Sequence, residues 1–326
     1  MRVANMRSVS ELSGVSLSSV SRILANDPHF RVRDNTRRRV LDAARQLGYQ
    51  YEARPREALK KIGCILSFTA ERYMDKYFLN ILSAIEKRLS EAGFSISTLS
   101  ASEAFDKTAE TIKREALSGL ILFNDDIFIG DLEKLKKAVP HIVGVDTDFN
   151  GIDNVNHDHY RTGVLAMEHL LERGHRRIAY IGGDDQVLHG RECAFTDIMA
   201  VRGFPVPPGY IMDCGWEPER CRDMILDLCA REDRPTAIFA GSDNLAIAVL
   251  SALHVLGLSV PRDIAIVGVN NLDFSAFTSP PLTTVSIPME EIGCYGAELL
   301  LQRINGFVGL PIKILFPTTL IIRNST

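Results

Sequence analysis

No run of 18 or more apolar residues occurs in the 326-residue sequence, and its first stretch, MRVANMRSVSELSG, lacks the apolar segment of a secretory signal. Neither a membrane span nor export is therefore expected, and the cytoplasm is the expected compartment. No C-x-x-C occurs either. Cys64, Cys193, Cys214, Cys221, Cys229 and Cys294 are scattered, mostly inside apolar runs, as expected of reduced buried thiols rather than a zinc set or disulfide framework. A P-loop, a G-x-S-x-G and a metal triad are also missing, which argues against the common hydrolase chemistries and against an enzyme. The nearest thing to a ligand cluster is NHDHY (156–160); with no matching cluster elsewhere it reads as a polar loop or helix start. No metal and no cofactor are expected.

What is present is a chain 46% apolar with mean hydropathy near zero, long enough for more than one domain and a sizeable core. The net charge of −4 hides an asymmetry. Residues 1–60 hold 12 Lys/Arg against 6 Asp/Glu, a net of +6, which leaves −10 for the remainder. A small basic module on a large acidic body suits a polyanionic partner at one end only.

Helical spacing predicts three helices in the first 50 residues. Asn5 can cap a helix to Ser13, which Gly14 breaks; Ser16 can cap a second to about Ala25; a third runs from about Asp34 to Leu47, with Gly48 as its stop. The charged, Pro55-interrupted stretch YQYEARPREALKK reads as a linker. From Lys61 onward, short apolar runs alternate with amphipathic stretches: IGCILSF, FSISTL, GLILF and HIVGV, then RIAYIGG, AIFAG and IAIVGV. Two such series predict two doubly wound lobes with parallel sheets, ligands lying beyond the strand C-termini. The expected crossings between lobes lie near His157, Ile287 and Thr318, giving lobe 1 as about 62–158 with 288–317 and lobe 2 as about 159–287 with 318–326.

The stretch SELSGVSLSSVSRILANDP is a helix, a glycine turn and a second helix, which fits either a plain helical hairpin or a helix-turn-helix. The module is basic, terminal and linker-tethered. Its second helix opens with Ser16, Ser18, Ser19 and Ser21, poor core residues but good hydrogen-bond donors, which favours DNA.

These residues also carry a resemblance. GVS and VSR at their spacing, then TRRRV, then LGY, resemble the DNA-binding headpiece of the LacI/GalR family, and HLLERGHRRIAYIGG, DNLAIAVLSALHVLGLSVPRDIAIVGVNN and SPPLTTVSIP extend the likeness over nearly the whole chain. The resemblance implies a helix-turn-helix headpiece (1–50), a hinge (51–61) and a periplasmic-binding-protein-like effector and dimerisation body (62–326). It implies a repressor that binds operator DNA as a homodimer and responds to a small sugar. In the headpiece it implies Leu17, Ser18 and Arg22 for base edges, Arg22 suiting guanine O6/N7, and Ser16, Ser19 and Ser21 for phosphates.

Departures from the family pattern include Ser8 and Ser10 in the first helix and Ala25 after the second. The hinge departs more: Tyr51 and Glu52 replace Pro and Asn, Pro55 replaces Ala, and Ala58 stands at the leucine position. Arg56 still aligns, Leu59 is the candidate minor-groove wedge, and a smaller operator bend than the family norm is expected.

In the body the resemblance implies Asp146, Arg191, Ser242 and Asn270 as polar effector contacts, with Asn270 and Ser242 standing where aspartate and asparagine are common. Asp243 is expected to be structural, as a cap of the helix after it. Trp216 aligns with an aromatic that packs on sugar rings; a lone tryptophan also fits a core role. Phe68, Arg72 and Tyr73 follow the first strand and are expected on the opposite lobe. One carboxylate fewer favours a neutral ligand over a cationic one, and the resemblance in DPHFRV, GRECAF and FTSPPLTTV implies a galactoside or related sugar. Competing readings are a corepressor-dependent regulator and a sugar-binding or sugar-acting protein with a vestigial headpiece.

Overall fold

The computed structural model describes residues 5–24, 30, 32–49, 60–66, 75–100, 105–123, 129–183 and 190–326. Two compact units result, Met1–Leu59 and Lys60–Thr326, each with its own core.

The first unit holds α1 (Met6–Ser13), α2 (Leu17–Leu24) and α3 (Asp34–Gln46). Asn5 Oδ1 accepts the Ser8 N–H at 2.9 Å and so caps α1. Gly14, at φ 63°, ends it in a left-handed turn that favours glycine. Ser16 Oγ accepts the Ser19 N–H at 3.4 Å at the start of α2. Val9, Val20, Ile23 and Val40 are buried together and close the three helices around a small core.

The second unit contains two six-stranded sheets. The first runs β11 (Lys313–Phe316), β5 (Asp153–His157), β4 (Ile142–Val145), β3 (Gly119–Phe123), β1 (Lys60–Leu66), β2 (Phe94–Ser100), all parallel. The second runs β12 (Thr319–Ile321), β10 (Thr283–Ser286), β9 (Ala265–Asn270), β8 (Ala237–Ala240), β6 (Ile178–Gly182), β7 (Ile211–Asp213). It is parallel except for β12, which pairs antiparallel with β10. Helices cover the sheets because parallel strands are buried on both faces. α4 (Lys76–Glu91), α5 (Phe105–Arg114) and α6 (Ile129–Ala138) belong to the first sheet; α7 (His159–Glu172), α8 (Arg191–Val201), α9 (Pro218–Cys229) and α10 (Asp243–Val255) belong to the second. α11 (Met289–Ile304) returns to pack on α4 and the first sheet.

The chain thus passes between sheets three times: from β5 to α7, from β10 to α11, and from β11 to β12. Apolar runs mark the central strands. β5 (DNVNH), β7 and the edge strands β11 and β12 are short or polar and stand outside those runs.

Asp243 is fully buried at the start of α10 and ties three segments together. Its carboxylate accepts the Leu272 N–H at 2.8 Å, the Ser275 hydroxyl at 2.5 Å and the Thr284 hydroxyl at 2.6 Å. The cap of α10 is Ser242, whose Oγ accepts the Leu245 N–H at 3.3 Å, so Asp243 is structural without being the cap. Burial pushes the Asp243 carboxyl up to about 6, outweighing the three donors, which lower it. The folded state holds this proton longer than the unfolded chain, so the contribution is complete below the unfolded value and is lost as pH rises through 6. Relative to an Asp243→Asn variant, the protein should lose about 1 kcal/mol of unfolding free energy between pH 5 and pH 7. Paired urea titrations at the two pH values check this; a constant difference contradicts it.

Candidate functional site

In the first unit α2 turns Val20 and Ile23 inward, which leaves Leu17, Ser18 and Arg22 exposed on the opposite face. Leu17 is 45% exposed, so its side chain is free to meet a partner. The Arg22 guanidinium lies 5.4 Å from the Phe30 ring centroid, which holds its long side chain over an aromatic face. Ser16 is exposed, Ser19 and Ser21 are half-buried, and Ser16 Oγ bonds the Ser18 and Ser19 hydroxyls at 3.2 and 2.9 Å. The structure therefore brings Leu17, Ser18, Ser19, Ser21 and Arg22 onto one short helix, with Ser16 immediately before it. Arg56 and Leu59 lie outside the described residues.

In the second unit Asp146, Arg191, Trp216, Ser242 and Asn270 line one cavity of about 50 Å³ at the strand C-termini of both sheets. Phe68, Arg72 and Tyr73 lie outside the described residues. Asp146 follows β4, Asn270 ends β9, Trp216 follows β7, Ser242 follows β8, and Arg191 opens α8. Five non-glycine residues have a left-handed φ among the described residues, and three of them are Asp146 (57°), Trp216 (64°) and Asn270 (108°). Strained backbone of this kind persists where surrounding structure imposes it, commonly at functional sites.

Trp216 is half-buried and packs against the second-lobe core while lining the cavity, so it serves both roles. A Cβ on Gly183 would stand 2.3 Å from the indole, so glycine is needed for the ring to lie where it does. The Arg191 guanidinium sits 4.7 Å from the Trp216 ring centroid, and its Nη1 donates to the Gly241 carbonyl at 3.0 Å. A cation–π contact and a backbone bond thus fix a buried arginine at the cavity wall.

The opposite wall holds residues the sequence reading left aside. Tyr77 and Phe78 of α4 face the cavity, as do His157 and His159, whose rings stack at 3.7 Å with 30° between planes. Asp158, between the histidines, caps α7 by accepting the Arg161 N–H at 2.7 Å, so the helix start read from NHDHY is present, with both imidazoles buried beside it. His159 Nε2 lies 3.0 Å from Asp146 Oδ1 and 3.3 Å from Asn156 Oδ1. Burial alone would raise the Asp146 pKa, but the His159 hydrogen bond, with the charges of His159, His157 and Arg191, holds it well below the usual carboxylate range. Burial, reinforced by His159, keeps His157 well below the usual histidine value, so it is neutral at neutral pH. Burial first and Asp146 second raise the Tyr77 hydroxyl well above 10.

Asp146, His157 and His159 are the one group of metal-ligating type among the described residues, with one donor atom each within 4.8 Å of the others. Nearly parallel ring planes leave the imidazole lone pairs side by side rather than converging, and Asp146 already accepts from His159. The trio fits a hydrogen-bond network better than a tetrahedral cation site. A larger groove of about 860 Å³ runs along Asn80, Lys87, Met289 and Glu290, but its lining is largely exposed, whereas buried charge converges on the smaller cavity.

Residues 5–51 match the family described as bacterial regulatory proteins, lacI family, and residues 167–326 match the periplasmic binding protein-like domain. The transcriptional repressor MelR of Bacillus subtilis is 35% identical, over 95% of this chain and 94% of its own. The transcriptional repressor PurR of Actinobacillus pleuropneumoniae is 31% identical, over 93% and 92%. A LacI family regulator from Enterococcus faecium, solved with bound ribose, superposes with a TM-score of 0.73 at 26% identity, over 82% of this chain and 98% of that one. These regulators are not enzymes, in keeping with a cleft that offers recognition groups. An exposed recognition face on a short helix, a buried polar cleft between two sheets and full-length similarity to repressors agree: the chain belongs to the lacI family, as a DNA-binding repressor modulated by a small molecule held in its periplasmic-binding-protein-like lobes.

Proposed function

We propose that the protein is a cytoplasmic, sugar-responsive repressor that binds a pseudopalindromic operator as a homodimer, with Asp146, Arg191, Trp216, Ser242 and Asn270 contacting the sugar. The observation that carries the reading is the convergence of a buried carboxylate, a buried guanidinium and an indole from both sheets on one cavity. Sugars present C–H faces that suit an indole and hydroxyls that suit carboxylate, amide and guanidinium groups. Phe68, Arg72 and Tyr73 complete the proposed lining. Likeness of DPHFRV, GRECAF and FTSPPLTTV to the repressor of the evolved β-galactosidase supports a galactoside, and the ribose in the Enterococcus faecium regulator supports a sugar more generally.

The domain boundaries proposed are a headpiece over 1–50, a hinge over 51–61 carrying Arg56 and Leu59, and an effector body over 62–326. In the headpiece Arg22 reads a base pair, Leu17 and Ser18 touch base edges, and Ser16, Ser19 and Ser21 hold phosphates. Sugar binding at the cleft lowers operator affinity because the two lobe arrangements bind the sugar with different affinity.

Two measurements check the reading. Titration with galactosides, glucosides and pentoses should give a saturable change in the fluorescence of Trp216, the sole tryptophan. Arg191→Lys should weaken the response by about tenfold or more through loss of the planar fork and the indole stack. Silence of the folded protein across the panel contradicts a sugar effector. In an operator shift assay, Arg22→Ala should cost about 1–3 kcal/mol and relax preference at one base pair per half-site. A uniform loss across operator sequences would reassign Arg22 to phosphate contact.

A further inference from the structure

We infer that His157 and His159 are specificity-determining residues of the cleft, each offering an otherwise unpartnered ring nitrogen to a hydroxyl of the occupant; this rests on the sugar reading above and names the part of the sugar that is read. Asp158 supplies the cap of α7, so neither imidazole is needed to start that helix. Both rings are nevertheless buried, at 1% and 5% exposure, in the wall of the cavity.

The proton positions follow from the acceptors around them. Asp146 is ionised and accepts only. Asn156 donates its amide N–H to the Thr147 carbonyl at 2.8 Å, which turns its oxygen toward His159. His159 Nε2 therefore stands between two oxygen acceptors, at 3.0 and 3.3 Å, and must carry the hydrogen. Its Nδ1, on the far side of the ring, meets no protein partner.

The Tyr77 hydroxyl lies 3.5 Å from His157 Nδ1, so that nitrogen has a protein partner and Nε2, on the other side of the ring, does not. Those two atoms, His159 Nδ1 and His157 Nε2, are buried with no hydrogen-bond partner among the described residues. Unsatisfied buried polar atoms favour an occupant that pairs them and penalise one that does not. The near-parallel rings, 3.7 Å apart, suit separate hydroxyls rather than a shared cation.

The test uses the full chain and Trp216 fluorescence, with methyl β-galactoside, methyl β-glucoside and ribose as probes, and single-deoxy analogues of whichever binds. His157→Phe and His159→Phe keep a flat ring and remove its nitrogens; each should weaken the parent sugar about tenfold or more. One deoxy analogue should bind wild type with the same loss and the Phe variant with no further loss. His157→Gln, which keeps an acceptor, should restore part of the affinity, a result that packing alone does not give. Equal sugar affinity in wild type and both Phe variants overturns the inference and leaves the sugar reading standing. Absence of binding by every probe to the folded wild type overturns the sugar reading, and the inference with it. Quenching of Trp216 by zinc alone, abolished in both Phe variants, would show a cation site instead and overturn the hydroxyl assignment.

Discussion

A parallel strand must be buried on both faces, and most of this molecule follows from that constraint. Helices are obliged to cover each sheet, and every strand but the antiparallel β12 then delivers its C-terminus to the same edge of its sheet. Polar side chains are excluded from the strand interiors, where β1, β3, β4, β6, β8 and β9 are dominated by fully buried aliphatic and aromatic residues. They collect where the strands end: Asp146 after β4, His157 closing β5, Ser242 after β8, Asn270 closing β9. The cleft is the place to which the fold expels its chemistry. The left-handed backbones at Asp146, Trp216 and Asn270 turn the chain there within one residue of leaving a strand, or within a few.

The first unit obeys a different constraint. Its core is a handful of side chains around Val9, Val20, Ile23 and Val40, and the remaining surface of α2 is free to carry hydroxyls, a leucine and an arginine. Basic charge is concentrated in this unit while the other is acidic, so long-range attraction to a polyanion acts on the headpiece. Recognition of DNA and of a small molecule are thereby divided between units with separate cores, and each surface is supported by its own packing.

The sequence discloses the parts of this arrangement that depend on composition and period. Continuous apolar runs identify the central strands, and Asn5, Gly14 and Gly48 mark helix ends because capping and left-handed turns need those residue types. β5 escaped the apolar pattern because its buried Asn154, Asn156 and His157 are polar. Asn154, for example, satisfies itself by accepting from Thr147 and Phe149 and donating to Phe149 and Ile152, bonds that only the folded loop provides. The histidine pair was hidden for a related reason. In NHDHY the aspartate reads as a cap, but stacking of the flanking rings depends on a strand ending and a helix beginning across that single residue. Asp146, Arg191, Trp216, Ser242 and Asn270 were named by likeness of their surrounding motifs; the network joining Asp146 to His159, His157 and Tyr77 spans 70 residues of sequence or more and carries no local signal.

The same geometry explains why an occupant of the cleft can act on lobe arrangement at all. Asp146, His157, His159 and Tyr77 are held at the strand ends of the first sheet, while Arg191, Trp216, Ser242 and Asn270 are held at those of the second. A molecule touching both walls gains its full set of contacts at one separation of the lobes and forfeits some at any other, so its affinity differs between arrangements, which is the thermodynamic requirement for a shift. The covalent restraint on that separation is slight: the sheets are joined only where β5 passes to α7, β10 to α11 and β11 to β12, each within a few residues.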